Sequence, residues 1–175
     1  MDNKNELLPE VDNNGNVIGS LSRAEAHGGS MRLHPVVHLH VFNKLGELYL
    51  QKRPKWKDIQ PGKWDTACGG HVDYGETIDY ALKREVFEEL GINDYTPQYL
   101  TNYIFKSNKE RELINVFITI YDGTIRPNTK ELEGGRFWSK EEIKESLYKG
   151  IFTPNFVEEY LQVVLPILKD IAPIL

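Results

Sequence analysis

Apolar and polar positions along the chain change period several times, and each change marks an element. In ELLPEVDNNGNVIGSL (6–21) apolar residues flank Asp12-Asn13-Asn14-Gly15. Asn and Gly tolerate the positive φ of a tight turn, so two short strands joined as a hairpin are predicted. Residues 22–27, SRAEAH, predict one helical turn ended by Gly28-Gly29. VVHLHVF (36–42) and ELYLQKR (47–53) enclose a turn at Asn43-Lys44-Leu45-Gly46 and predict a second, longer hairpin, followed by a short strand in KWDTACGG (63–70). A helix is predicted from about Thr77 to Leu90, stopped by Gly91. YLTNYIF (99–105) and ELINVFITIYDG (112–123) are strand-like and separated by the polar turn KSNKER.

Two more helices are predicted near the end. In FWSKEEIKESL, Ser139 precedes Glu142 by three residues, the spacing of a capping box. TPNFVEEYLQVVLPIL offers Thr153 as N-cap and Pro154 at the first helical position, then an apolar helical period. Its residues Leu161, Val164 and Ile167 serve either the core or a homodimer interface. Interleaved strands and helices with adjacent hairpins imply a mixed sheet covered by helices, an α/β (α+β) fold with an N-terminal β-hairpin.

Composition narrows the setting. The chain has 175 residues, 40% of them hydrophobic, enough for one compact domain (1–175) with a real core. A net charge of -5 argues against a nucleic-acid partner, which needs a basic face. No apolar run approaches the roughly 20 residues that span a bilayer, so no membrane partner is expected. The acidic start MDNKNELLPE does not have the form of a signal peptide, and a single cysteine, Cys68, fits a reducing compartment; together they point to the cytoplasm.

The helix at 77–90 carries the chemistry. With about 100° per residue and Ile78 at zero, Ala81, Leu82 and Val86 form an apolar stripe. Glu85 and Glu89 fall inside that stripe, and Glu88 at its edge. A solvated charge run would put them on the opposite side. Carboxylates are almost never buried unpaired, so they need a cation. Arg84 supplies one charge against three. A divalent ion such as Mg²⁺, which takes oxygen ligands and keeps room for substrate phosphate, would satisfy the rest. Gly70 and Gly75 let the preceding loop approach a ligand, and Glu76 sits where the helix dipole favours negative charge.

Gly70, Glu76, Arg84-Glu85-Val86, Glu88-Glu89 and Gly91-Ile92 fill every fixed position of GX5EX7REUXEEXGU. The segment resembles the signature of the Nudix hydrolases. That resemblance implies an α/β/α sandwich and Mg²⁺- or Mn²⁺-dependent hydrolysis of a small-molecule diphosphate of the nucleoside diphosphate-X type. It also implies roles: Glu85 and Glu89 as metal ligands, Glu88 as a third ligand or the group that activates water, Arg84 as the group that orients a glutamate, and Glu76 in support.

The stretch from Glu25 to Thr77 is similar to type 1 isopentenyl diphosphate isomerases. By that likeness His27, His34 and His71, with Glu110 and Glu112, correspond to a second set of metal ligands, and Arg53 and Lys57 to diphosphate contacts. The isomerase's cysteine position is Gly69 here, and Cys68 is one place early, so in an extended strand it points to the other face. Hydrolysis is therefore the leading expectation, with isomerisation and non-catalytic nucleotide binding as alternatives.

Other features have plainer readings. His38 and His40 share one side of a strand and are expected to form the polar face of a half-buried strand rather than a zinc site. Lys52, Arg53, Lys55 and Lys57 form a local basic patch, of which Arg53 is expected to meet substrate. Cys68 is expected to be a small packed side chain. Trp56, Trp64 and Phe137-Trp138 are expected to pack in core or loops.

Overall fold

The computed structural model describes residues 6–57 and 60–171. Strands β1 (Leu7–Val11) and β2 (Val17–Ser22) form the expected N-terminal hairpin, antiparallel around the Asp12–Gly15 turn. A single helical turn, α1 (Arg23–Ala26), follows with a Ser22–Glu25 capping box.

The main sheet is mixed. β3 (Leu33–Phe42) lies at its centre, parallel to β8 (Arg111–Ile120), with β7 (Gln98–Lys106) antiparallel beyond β8. On its other side β3 shares its edge between two partners. β6 (Cys68–His71) pairs with residues 36–39, whereas β4 (Leu48–Lys52) pairs only with Val41 and Phe42. The expected long hairpin is thus short. β4 instead pairs along its length with β9 (Gly134–Trp138), a strand that the two glycines and the adjoining capping box concealed in the sequence. KWDTACGG forms two strands rather than one, β5 (Trp64–Asp65) against β4 and β6 against β3, with Thr66-Ala67 turning between them.

Helices cover both faces. α2 (Ile78–Leu90) is capped by the Thr77 side chain and closed by Gly91 in the left-handed conformation. Its stripe of Ala81, Leu82, Val86 and Leu90 packs on Val37, Leu39 and Val41. Alternation sends Val36, His38, His40 and Phe42 to the opposite face. There α3 (Lys140–Ser146) and the C-terminal helix pack: Ile143, Phe156, Tyr160 and Val164 join Phe42, Leu48, Leu50, Ile118 and Trp138 in a second cluster. Leu161 and Ile167, partly buried, pack against the same cluster.

That helix is not uniform. α4 (Pro154–Glu159) passes into a π-helical turn at Tyr160–Val164 and then α5 (Leu165–Ile171). Pro166 has no N–H to continue the ladder, and just before it the turn widens so that the Leu165 N–H reaches the Tyr160 carbonyl. Among the described residues, no helix is long and apolar enough to cross a membrane.

Candidate functional site

Glu85 and Glu89 face the sheet as their helical positions require. Glu89 is buried, and it accepts hydrogen bonds from the Gly69 backbone N–H at 3.2 Å and from Gln51 Nε2 at 3.5 Å. Glu85 lies across Gly70 so closely that a Cβ there would stand 2.0 Å from its Cδ. That contact explains why the strand needs glycine at 70. Glu88 lies outward, its side chain 54% exposed.

Arg84 organises the cluster. It donates to both oxygens of Glu76 at 2.9 and 2.8 Å, to Glu85 at 2.7 Å, and to the His71 carbonyl at 3.0 Å, with Glu88 at 3.4 Å. Those bonds hold the Glu76 carboxyl below its usual range, whereas burial outweighs Arg84 at Glu85 and pushes its carboxyl up to about 7. Burial, reinforced by the neighbouring Glu85, pushes Glu89 up to about 8. Two adjacent carboxyls that resist ionisation in a dry setting are the donor set a divalent ion would satisfy. Gln51, a support for Glu89, carried no signal in the sequence. The Cys68 thiol meets Glu89, and burial drives its pKa well upward, so it is the packed side chain expected and no nucleophile.

A second cluster lies on the opposite face of β6. The strand alternates, so Cys68 and Gly70 face α2 while Gly69 and His71 face away. His71 meets His27 there, with their Nε2 atoms 2.9 Å apart, and His34 lies beside both. The three offer ligand nitrogens all within 4.8 Å of one another. Glu110 Oε2 is 3.2 Å from His27 Nδ1, and Glu112 Oε1 is 4.0 Å from His34 Nε2. His34 Nδ1 is 3.3 Å from the Arg32 carbonyl, which fixes the proton on that nitrogen and turns the Nε2 lone pair inward.

The state of these groups suits a metal. Burial lowers the pKa of His34 and, strongly, of His71, leaving neutral imidazoles that can ligate. Burial raises Glu110, and burial together with Glu110 pushes Glu112 up to about 8. His34 Nε2 is buried without a hydrogen bond among the described residues. Three imidazole nitrogens within 4.8 Å of one another, with carboxylates beside them, fit a divalent cation.

The remaining candidates divide. Arg53 pairs with Asp65 at 3.3 Å, and Lys57 lies over the Trp56 ring. Trp138 is buried, Trp64 stacks edge-on against it, and Trp56 is exposed. His38 and His40 differ from expectation. Helices cover both faces of β3, so the two histidines are buried rather than solvated, and both bond Glu159.

Known proteins share this fold. Residues 32–159 match the family profile described as NUDIX domain. The chain is 29% identical over 162 residues to an isopentenyl-diphosphate Delta-isomerase of Photorhabdus laumondii, covering 88% of this chain and 92% of that protein. It is 34% identical over 153 residues to an uncharacterised Nudix hydrolase of Pseudomonas aeruginosa, covering 87% and 90%. Among solved structures, a Deinococcus radiodurans protein superposes with TM-score 0.76 at 25% identity, over 87% of this chain and 96% of that one. A MutT protein of Methanosarcina mazei superposes with TM-score 0.61 at 22% identity, over 74% and 94%.

Proposed function

The chain belongs to the Nudix family, and on that premise we propose that it is a metal-dependent hydrolase of a phosphoanhydride bond in a nucleoside diphosphate-X type substrate. The observation that carries this reading is the pair of half-buried Glu85 and buried Glu89, each set against a glycine, with their carboxyls pushed toward neutrality. Glu85 and Glu89 would hold Mg²⁺ or Mn²⁺, with Glu88 at the rim. The ion would neutralise diphosphate charge and make water a stronger nucleophile. The chain's own groups supply orientation: Arg84 fixes Glu85 and Glu76, the Gly69 amide fixes Glu89, and Glu88 is exposed enough to take a proton from water.

Purified protein with Mg²⁺ or Mn²⁺ should release product from some member of a panel of nucleotide sugars, dinucleotides, nucleoside triphosphates and prenyl diphosphates. Lack of turnover across the whole panel, with nucleotide retained tightly, would favour a binding module instead.

A second reading is isomerisation of isopentenyl diphosphate, favoured by the convergence of His27, His34 and His71 with Glu110 and Glu112. Against it stands Gly69, which presents no side chain on the face where those histidines lie. Proton exchange between isopentenyl and dimethylallyl diphosphate, followed by NMR, decides between the two.

A further inference from the structure

A row of paired residues runs across the sheet from Gly70. Gly70 pairs with Val37, Val37 with Asn115, and Asn115 with Asn102, on β6, β3, β8 and β7 in turn. Side chains abreast in one row share a face, here the face that carries α2. Glu85 lies over Gly70, and Ala81, Leu82 and Val86 pack with Val37. Asn115 is thus two strands from Gly70, about 10 Å, and lies on the other flank of the helix from Glu85 and Glu89.

On that flank the N-terminal hairpin faces the sheet, and a cavity of about 290 Å³ remains beneath it. Asn115 and Asn102 line it from the sheet, Thr77 and Ile78 from the start of α2, and Pro9 and Val17 from the hairpin. Asn115 is only 7% exposed. Its Nδ2 donates to the carbonyls of Val36 at 3.2 Å and Leu113 at 3.3 Å. Those two acceptors fix the orientation of the amide, because the reverse would set oxygen against oxygen. Both N–H groups are therefore used, whereas Oδ1 accepts no hydrogen bond among the described residues and is left to the cavity. Asn102, directly opposite, commits neither end of its side-chain amide among the described residues.

Charge is almost absent from this lining. No lysine, arginine or histidine belongs to it, and the carboxylate of Glu76 is held by Arg84 and by the Asp73 N–H. An anion entering here would lose its water and meet no opposite charge, so a diphosphate does not belong in this cavity.

We propose that the cavity is a second ligand site, separate from the glutamate cluster, for an uncharged molecule that carries a primary amide or lactam edge on an apolar ring. An N–H of that edge donates to Asn115 Oδ1, its C=O accepts from Asn102 Nδ2, and the ring lies against Pro9, Val17 and Ile78. The volume suits a single ring, since ligand cavities run from roughly 300 Å³ upward. The donor is the essential part: a ligand without one would strip water from Asn115 Oδ1 and return nothing. This inference does not depend on the hydrolase reading.

The test is an NMR titration of the whole chain with benzamide, acetophenone and benzoate, three molecules of one shape. Acetophenone replaces the NH₂ by methyl, and benzoate replaces it by a charged oxygen. Benzamide is expected to bind at least about tenfold more tightly than either and to shift the side-chain amide signals of Asn102 and Asn115. Asn115→Leu should bring benzamide and acetophenone to equal affinity. Where that variant does not fold, Val17→Trp serves: Val17 lines the cavity yet is 60% exposed, and the larger ring should fill the space and abolish the benzamide shifts. Acetophenone or benzoate binding as tightly as benzamide, benzamide binding retained in Val17→Trp, shifts confined to other parts of the chain, or no benzamide binding each overturns the proposal. All of these results leave the diphosphate reading in place, because turnover alone decides that.

Discussion

Arg84 donates from Nη2 to the carbonyl oxygen of His71 at 3.0 Å, tying α2 to the strand whose side chain joins the histidine cluster on the opposite face. The same guanidinium grips Glu76 and Glu85. A lysine keeps the charge but loses the planar fork. Arg84→Lys is therefore expected to cost about 1–3 kcal/mol of stability and to lower turnover by about 10- to 100-fold. Thermal unfolding and steady-state kinetics check the two effects separately.

Glu89→Gln removes a proposed ligand while keeping size and the ability to accept from the Gly69 amide. Losing several kcal/mol of charge stabilisation predicts a fall in turnover of about a thousandfold. The fold should be unharmed, because the buried carboxyl is itself reluctant to ionise. Product release and the unfolding midpoint without metal are the measurements; activity near wild type would remove Glu89 from the site.

Glu85 and Glu89 also predict how metal and pH act together. Their folded pKa values are about 7 and about 8, above the ordinary 4.5. The folded protein then holds more protons than the unfolded chain over that interval. Without metal, these two groups make stability fall as pH rises from about 4.5 to 8. A divalent ion replaces the protons, so the stabilisation gained on adding Mn²⁺ should grow across the same interval. Paired melts with Mn²⁺ and with EDTA from pH 5 to 8.5 give the answer, and a metal increment independent of pH contradicts it.

His38 adds a fall in stability of the same direction at higher pH, whereas Glu159 acts with the opposite sign. A raised histidine pKa contributes stability that is complete below its unfolded value of 6.5 and disappears as pH rises through about 9. Burial would raise Glu159, but His38 outweighs it and holds the carboxyl well below the usual range, so its contribution is present above 4.5 and is lost in acid. Glu159→Gln should lower stability by about 3 kcal/mol near neutrality and flatten the slope between pH 6.5 and 9. Urea titrations at several pH values in wild type and variant measure both.

The helix that bears Glu85 and Glu89 was legible because acids inside an apolar stripe break the usual pattern, and its caps, Thr77 and Gly91, stand in the sequence. The same reasoning reaches Glu159, which shares a face with Phe156, Tyr160 and Val164 at helical spacing. It was hidden by Glu158 beside it, since two consecutive acids read as one solvated corner. The alternation of His38 and His40 was legible, but their burial was not, because covering the second face of β3 depends on a helix more than a hundred residues away. β9 escaped for a local reason: GGRFW has little strand propensity in its first half, and only β4 supplies its partner.

Gly69 and Gly70 are neighbours on one strand, yet each leaves room for a different side chain on a different side: Glu85 leans over one and His38 over the other. What stands between those two side chains is therefore bare peptide, one layer of main chain thick. A shift of that amide plane moves both at once, so two groups that look remote in side-chain terms share a single wall.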